Sequence, residues 1–387
     1  MRDSIEHLVI GGGLAGSMLA MRLASAGREV VLLEKEHEAH DKVCGEFLSR
    51  EAVHYLRQAG TEPLDLGAHA IECVRLHSGK RTVEAELPFT ALSLSRRVLD
   101  ETLLVKAQST GCEVRRGAFV DKLESNHAGW RVRLRGGEMI QAKTLFLATG
   151  KHDVNAWERG GATQGDLVGF KMHWKLAPAQ SEALRGAMEL FLFRGGYGGL
   201  SLIEGGTANL CLVIQRKTLC ALGRWPDLLQ SIQNEVPALN ERLRDATPRW
   251  PKPLAISPIP YGHLGGPADG IWRVGDQVAV IPSFTGDGMS IALHSAVLAA
   301  EMYLGEKNAN EYTNCLTEQL RGGMRFASWL SRSMVTSSAR LLAPALLSLL
   351  PNAISRIALS TRIPDHALLT ARFKTGSAIN HLPASIA

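Results

Sequence analysis

The stretch Ile5-Glu6-His7-Leu8-Val9-Ile10-Gly11-Gly12-Gly13-Leu14-Ala15-Gly16 decides the fold. Glu6 to Ile10 is an apolar run of buried-strand length, and Leu14 to Ala26 has the Ala, Leu and Met content of a buried helix. Glu29 to Leu33 is a second strand of the same kind, so this region predicts a βαβ unit. Gly11, Gly13 and Gly16 form a G-x-G-x-x-G that leaves the strand and opens the helix, and Glu34 ends the second strand about twenty residues on. The first glycine permits the turn, the second lets a pyrophosphate approach the backbone, and the third lets helix and strand pack closely. The helix start, with Leu14 and Ala15 just inside it, adds amide donors and the positive end of the dipole. Glu34, followed by Lys35, would accept from ribose hydroxyls, and a carboxylate there disfavours a 2′-phosphate. The expected ligand is FAD or NAD.

Outward from this unit, a helix is expected at Ser49 to Ala59, with Ser49 as cap and Gly60 as terminator. Glu72 to His77 and Arg81 to Leu87 form a hairpin around Ser78-Gly79-Lys80, and Arg97 to Ser109 is helical. Cys112 to Gly117, Phe119 to Ser125, Trp130 to Arg135 and Thr144 to Ala148 read as strands returning to the nucleotide-binding sheet. From Asp166 to about Gly262 the alternating strands Val168 to Trp174, Met188 to Phe193, Gly199 to Ile203 and Ala208 to Ile214 predict an antiparallel sheet with a different task. The expected division is residues 1–71, 92–160 and 265–305 for the nucleotide domain, 72–91 and 161–264 for the substrate domain, and 306–387 for a helical C-terminal region.

Composition removes whole classes of function. A formal charge of +5 on 387 residues, with no Lys or Arg run longer than two, argues against nucleic acid. Cys44, Cys73, Cys112, Cys211, Cys220 and Cys315 contain no C-x-x-C pair and no zinc-like spacing, so no metal and a reducing cytoplasm are expected. The longest apolar segment, Leu341 to Leu350, is about half of the ~20 residues that a spanning helix requires.

A second glycine-opened helix stands late in the chain. Arg273-Val274-Gly275-Asp276 is followed by Pro282 and by Gly286-Asp287-Gly288, which opens a helix from Gly288 to Tyr303. NAD alone leaves this second entrance unexplained, whereas a flavin accounts for it. Asp276 would hold ribityl hydroxyls, and the amides of Gly288 and Met289 would face the pyrimidine end of the isoalloxazine ring, where reduced flavin gathers negative charge.

In this order of motifs the chain resembles the flavoprotein oxidoreductases of the para-hydroxybenzoate hydroxylase-like fold, and within them the geranylgeranyl reductase-type branch. The resemblance rests on Gly11 to Gly16 with Glu34, Lys42-Val43-Cys44-Gly45-Glu46, Arg96 to Asp100, Ala148-Thr149-Gly150, and Gly275-Asp276 with Pro282 to Gly288. It implies an α/β fold: a Rossmann-like FAD-binding domain, an inserted antiparallel β-sheet substrate domain and a helical C-terminal region. It also implies that Arg96 and Gly150 contact FAD and that Cys44 faces the ring or the substrate. Read alone, Cys44 would be a small buried apolar residue, and Glu46 a surface carboxylate or a helix-start partner. Beside a flavin, either could donate a proton to a carbon whose neighbour receives hydride.

Two departures from the family pattern stand out. Where the reductase branch has aromatic-x-Trp-x-Phe-Pro, this chain reads Tyr197-Gly198-Gly199-Leu200-Ser201-Leu202, so Tyr197, Gly198 and Gly199 are the candidate substrate contacts, or a hairpin feature. Thr149-Gly150 stands where hydroxylases have Asp-Gly. The leading expectation is an FAD-dependent oxidoreductase acting at a carbon–carbon double bond of a small, largely apolar substrate. The alternative is a monooxygenase that hydroxylates or epoxidises an aromatic, polyketide or isoprenoid-type metabolite through a C4a-hydroperoxide. A halogenase would want a Trp-x-Trp-x-Ile-Pro run, which is absent, and a non-catalytic flavoprotein redox sensor is a further alternative. No second dinucleotide motif exists, so NAD(P)H would bind transiently or an external reductase would supply electrons. The segment from Phe326 to Ile363, with Arg332, Arg340, Arg356 and Arg362 among apolar residues, could lie on a membrane surface or pack on the core.

Overall fold

The computed structural model describes residues 4–370 apart from 128, 156, 158, 268, 337–339, 341–344, 346 and 348–351. Strand β1 (Ile5–Ile10) runs parallel between β2 (Val30–Glu34) and the C-terminal half of Met139–Leu147. Every residue of β2 is buried, as expected of a parallel strand covered on both faces. Helix α1 (Leu14–Ser25) covers one face, and its Ala15, Gly16, Ser17 and Ala20 are buried because small residues allow close approach to the sheet.

The chain next forms β3 (Phe47–Leu48), α2 (Arg50–Gln58), β4 (His69–Ser78), β5 (Arg81–Ser93) and α3 (Arg96–Ser109). It returns to the first sheet with β6 (Glu113–Arg116), β7 (Val120–Asn126), β8 (Gly129–Leu134) and β9 (Met139–Leu147), in the order β6-β2-β1-β9-β8-β7. The short strand Trp272–Arg273 adds to β9 from far along the chain.

The second sheet takes β10 (Leu167–Lys175), β11 (Gly186–Phe193), β12 (Gly196–Ile203) and β13 (Thr207–Gln215) and has the order β10-β13-β12-β11-β4-β5-β3 along its main path. It is antiparallel except where β4 lies parallel to β11, which the sequence pattern did not anticipate. Helices α4 (Pro178–Leu184), α5 (Arg216–Leu222), α6 (Trp225–Glu235) and α7 (Pro237–Arg242) follow; α6 and α7 bury Leu228, Ile232 and Leu239 in a core with Phe170, Met172, Leu200 and Leu210 of the sheet. The other face carries the site.

Helix α8 (Gly288–Leu304) packs beside α1 in the main core and is apolar on almost every side, in keeping with its burial. Helix α9 (Ala309–Met334) begins at Asn308, whose side chain accepts from the amides of Asn310 and Glu311 while Glu311 reaches back to the Asn308 amide. After the helix Ala353–Ser360 the chain re-enters the core. Thr361 crosses α9 at Gly323, where an added Cβ would stand 3.0 Å from the Thr361 carbonyl oxygen, and Ile363 is 1% exposed.

Two of the C-terminal arginines are tied into the fold. Arg340 pairs with Glu235, and Arg362 pairs at 2.5 Å with the fully buried Asp287. Most of 341–350 lies outside the described residues, and among those described no helix is long and apolar enough to cross a membrane.

Two buried histidines join distant elements in their neutral form. Tyr55 accepts from the Leu369 amide (3.1 Å) and donates to Nδ1 of His294 (2.7 Å), whose Nε2–H donates to Gln319 Oε1 (2.8 Å). His7 donates from Nδ1 to the Glu29 carbonyl (2.7 Å) and accepts at Nε2 from Tyr303 (2.9 Å). Burial lowers both pKa values below 6.5, so the unfolded chain binds more protons than the folded one in mild acid. Stability should therefore fall as pH drops below 6.5, by up to about 1.4 kcal/mol per pH unit for each histidine. Urea titrations of wild type and His294→Gln at pH 7 and 5 check this; an equal slope in both would remove His294 from the account.

Candidate active site

The first glycine turn leaves bare backbone where a diphosphate would fit. Gly11 has φ +107°, and a Cβ there would stand 2.4 Å from the Ala148 carbonyl oxygen; at Gly16 it would stand 1.8 Å from the Gly11 carbonyl oxygen. Both positions exclude a side chain by backbone contact. Gly13 differs, since its Cβ would meet only Arg96 Nη2 and Lys42 Nζ at 3.5 Å each, with Asp100 just beyond. The bare backbone there faces two cations. Both bind one carboxylate, Arg96 through Nε (2.7 Å) and Nη2 (2.8 Å) and Lys42 through Nζ (2.7 Å). Burial pushes Asp100 upward, but Arg96 and Lys42 outweigh it and hold it down at about 2. One positive charge of the trio is left over at the mouth of the turn, next to the α1 N-terminus.

Glu34 is buried and accepts from the Gly12 amide (2.7 Å) and the Glu36 amide (2.9 Å). A carboxylate has about four acceptor positions, so capacity remains for ribose hydroxyls on the adjoining cleft, which Glu38, His40, Lys42 and Arg116 help to line. The residues thus fit the adenosine diphosphate half of FAD. Lys35 is solvated and pairs with Glu36 at 3.6 Å.

The second entrance is equally open. Asp276 accepts from Lys151 (2.9 Å), and Arg159 ties the carbonyls of Gly150, Lys151 and Asp276 together. Gly286 has φ +72°, and a Cβ there would collide with the Phe47 ring at 2.4 Å, so the Pro282–Gly286 turn packs directly on the loop that carries Cys44. No side chain caps α8, Gly288 is exposed and nothing lies within 4 Å of where its Cβ would be, whereas Met289 is buried. Bare amides at this helix end fit the electron-rich edge of a flavin.

Between the two entrances stands the loop Lys42–Glu46, held over one face of the second sheet. The pairings Leu190↔Gly199, Gly199↔Cys211 and Cys211↔Lys171 form one row across β11, β12, β13 and β10, and Ser201↔Asn209↔His173 form the next. Asn209 Nδ2 donates to the Cys44 carbonyl (3.1 Å). Lys171 donates to Glu46 Oε1 (2.5 Å), His173 Nε2 meets Glu46 Oε2 (3.1 Å), and the Arg96 amide donates to Oε1 (2.8 Å). Glu46 is fully buried with φ +58°, so a non-glycine residue is held in a left-handed conformation by groups on two elements, β10 and α3. It is neither at the surface nor aimed at a substrate with a proton to give; it is a multiple acceptor and, through the Arg96 amide, also a partner of the α3 start.

Among the described residues, the carboxylates of Asp41 and Glu46 and the His173 ring converge as metal ligands would. Lys171 Nζ occupies that convergence, 3.3 Å from Asp41 and 2.5 Å from Glu46. Burial alone would lower the Lys171 pKa, but the two carboxylates raise it, so the cation of this cluster is an ammonium.

Cys44 is half-buried at the open side of this construction, and burial pushes the facing Cys211 up to about 12. Of the candidate substrate contacts, Gly199 lies in the row with Cys211. Gly198 turns to the opposite face, where a Cβ would press on Leu212 at 2.9 Å. Tyr197 is buried against Phe284 in an apolar cluster with Leu192, Val213 and Tyr261. Lys171, Asn209, Arg159 and Gly12 were not singled out as site residues from the sequence, although strand alternation from Gly169 to His173 would have placed Lys171 on one face with His173.

Residues 4–148 match the family model of an FAD binding domain. The chain is 26% identical over 353 residues to a menaquinone reductase of Mycobacterium tuberculosis, covering 85% of this chain and 84% of that protein. It is 28% identical over 318 residues to a digeranylgeranylglycerophospholipid reductase of Methanopyrus kandleri, covering 77% and 76%. Among solved structures, the flavin-dependent brominase Bmp2 superposes with a TM-score of 0.74 at 17% identity, covering 95% of this chain and 96% of that one, which shows the shared fold. The chain is an FAD-dependent oxidoreductase of para-hydroxybenzoate hydroxylase-like fold, similar to the geranylgeranyl reductase type.

Proposed function

We propose that the protein reduces a carbon–carbon double bond in a largely apolar substrate, with Cys44 as the proton donor. The observation that carries this reading is the fastening of one half-buried thiol between the two glycine-opened helix entrances, over a sheet row that runs Leu190, Gly199, Cys211 and Lys171, with the lysine turned to Glu46. FAD, when bound, supplies the hydride. Cys44 gives its proton to the carbon next to the one that receives hydride, leaving a thiolate that solvent reprotonates. Lys171 and Arg96 are two cations within electrostatic reach of that sulfur.

Phe47, Phe89, Leu190 and Ile354 belong to one apolar cluster extending from the loop and suit a hydrocarbon chain. Similarity to two reductases over most of their length supports reduction, and geranylgeranyl-type chains are the first substrates to test. The exposed face of α9 around Trp329, 59% exposed, with Arg325 and Arg332 also exposed, would receive such a molecule from a lipid surface. Electrons would come from transiently bound NAD(P)H or from an external reductase.

Cys44→Ala should retain its FAD and lose about 100-fold or more in turnover, the usual contribution of a positioned acid. Steady-state kinetics on purified holoenzyme decide it, and an unchanged kcat would sink the assignment. Mixing reduced holoenzyme with oxygen in a stopped-flow instrument tests the monooxygenase alternative: direct return of the oxidised spectrum supports the reductase, and an added absorbing species supports oxygen chemistry.

A further inference from the structure

We infer that Arg362 is a positioning residue for the flavin end of the site: it draws the Asp287 carboxylate off the N-terminus of α8 and leaves that helix end free for the ligand. The inference rests on the placement of the isoalloxazine ring at this entrance.

Asp287 precedes Gly288 at the start of α8 with φ −93° and ψ −4°, a helical backbone rather than the extended one from which an aspartate turns its side chain onto the first-turn amides. Here it makes no such bond. Its Oδ1 accepts instead from Arg362 Nη1 at 2.5 Å, while Arg362 Nη2 donates to the Thr285 carbonyl at 2.9 Å and Nε to the Ala358 carbonyl at 2.7 Å. The guanidinium also lies 4.8 Å from the centre of the Phe89 ring, so it is held on several sides.

Asp287 is 0% exposed, and its Oδ2 has no hydrogen-bond partner. Released from Arg362, this carboxylate can bond the unmet amides of its own helix once the Asp287 backbone turns to the extended region, a turn that the Arg362 pairing blocks. Burial pushes Asp287 up to about 6 although Arg362 pulls it down, so near neutrality it is mostly charged. A self-capped α8 would have its positive pole cancelled at the point where reduced flavin gathers negative charge. Arg362 reaches this point because Thr361 crosses α9 at Gly323.

The test compares wild type, Arg362→Gln and the double variant Asp287→Ala/Arg362→Gln as holoenzymes. FAD release on dilution is read by flavin fluorescence, and the midpoint potential of bound FAD by dye equilibration. Arg362→Gln should bind FAD about tenfold more weakly and have its potential lowered by about 30 mV, which is tenfold in the two-electron equilibrium. The double variant should recover both to within about threefold of wild type, because nothing remains to cap the helix.

An Arg362→Gln protein with wild-type affinity and potential would overturn the inference, as would a double variant no better than the single one. Should Arg362→Gln fail to fold, a folded double variant with near wild-type affinity supports the inference, and one that also fails overturns it. A wild-type protein that took up no FAD would instead sink the cofactor assignment.

Discussion

Gly13→Leu should fold, melt near the wild-type temperature and be isolated without yellow colour. A Cβ at Gly13 meets nothing closer than 3.5 Å, so the backbone tolerates it. The rest of the leucine must then occupy the space between the turn, Arg96 and Lys42, which is the space assigned to the diphosphate. Loss of these phosphate contacts and of the α1 dipole should weaken FAD binding by at least about a hundredfold, at roughly 1.4 kcal/mol for each factor of ten. Gly16→Val makes the contrast. Its Cβ would lie 1.8 Å from a main-chain oxygen, so it should destabilise the whole domain rather than empty it. Flavin absorbance per protein and thermal melts of both variants check the pair. A yellow Gly13→Leu protein would remove the diphosphate from this turn.

Lys171→Met should cost about 3–5 kcal/mol of stability, the usual result of removing one partner of a buried ion pair. Glu46 is fully buried, its left-handed backbone depends on what holds its side chain, and the lysine is its closest donor. The same substitution frees the Cys44 loop, so turnover should fall in whatever protein remains folded. Glu46→Gln/Lys171→Met should recover part of the stability, because the orphaned charge goes with the carboxylate. Urea unfolding of the holoenzymes measures both, and a Lys171→Met protein as stable as wild type would mean that the ammonium is not what anchors Glu46.

The parts of the fold that could be read in advance were those encoded locally. The βαβ unit, its glycines and Glu34 follow from spacing within one short stretch, and the second glycine-opened helix from another. What depends on register across long separations was not visible. Lys171 matters because β10 brings it opposite Cys211 and beneath a loop 125 residues earlier, and nothing near position 171 announces that partner. Glu46 drew attention for its chemistry, but its role depends on His173, Lys171 and the start of α3. Arg362 read only as one of several arginines among apolar residues; its buried carboxylate lies 75 residues away, and no local pattern encodes the pairing. Gly198 and Gly199, adjacent in sequence, fall on opposite faces by strand alternation, so only Gly199 shares the row with Cys211.

The parallel seating of β4 beside β11 bears on how the chain reaches its native state on the ribosome. A nascent chain that has emerged only as far as residue 160 possesses every strand of the first sheet but Trp272–Arg273, yet the outer edge of its β4–β5 hairpin has no neighbour until Gly186–Phe193 arrives. Such an edge invites pairing with another molecule, so premature termination or proteolytic nicking between 94 and 185 should yield sticky fragments rather than separable modules. Neither half can be cut out as one continuous piece, and attempts to trade the second sheet between related enzymes would have to transplant both segments together.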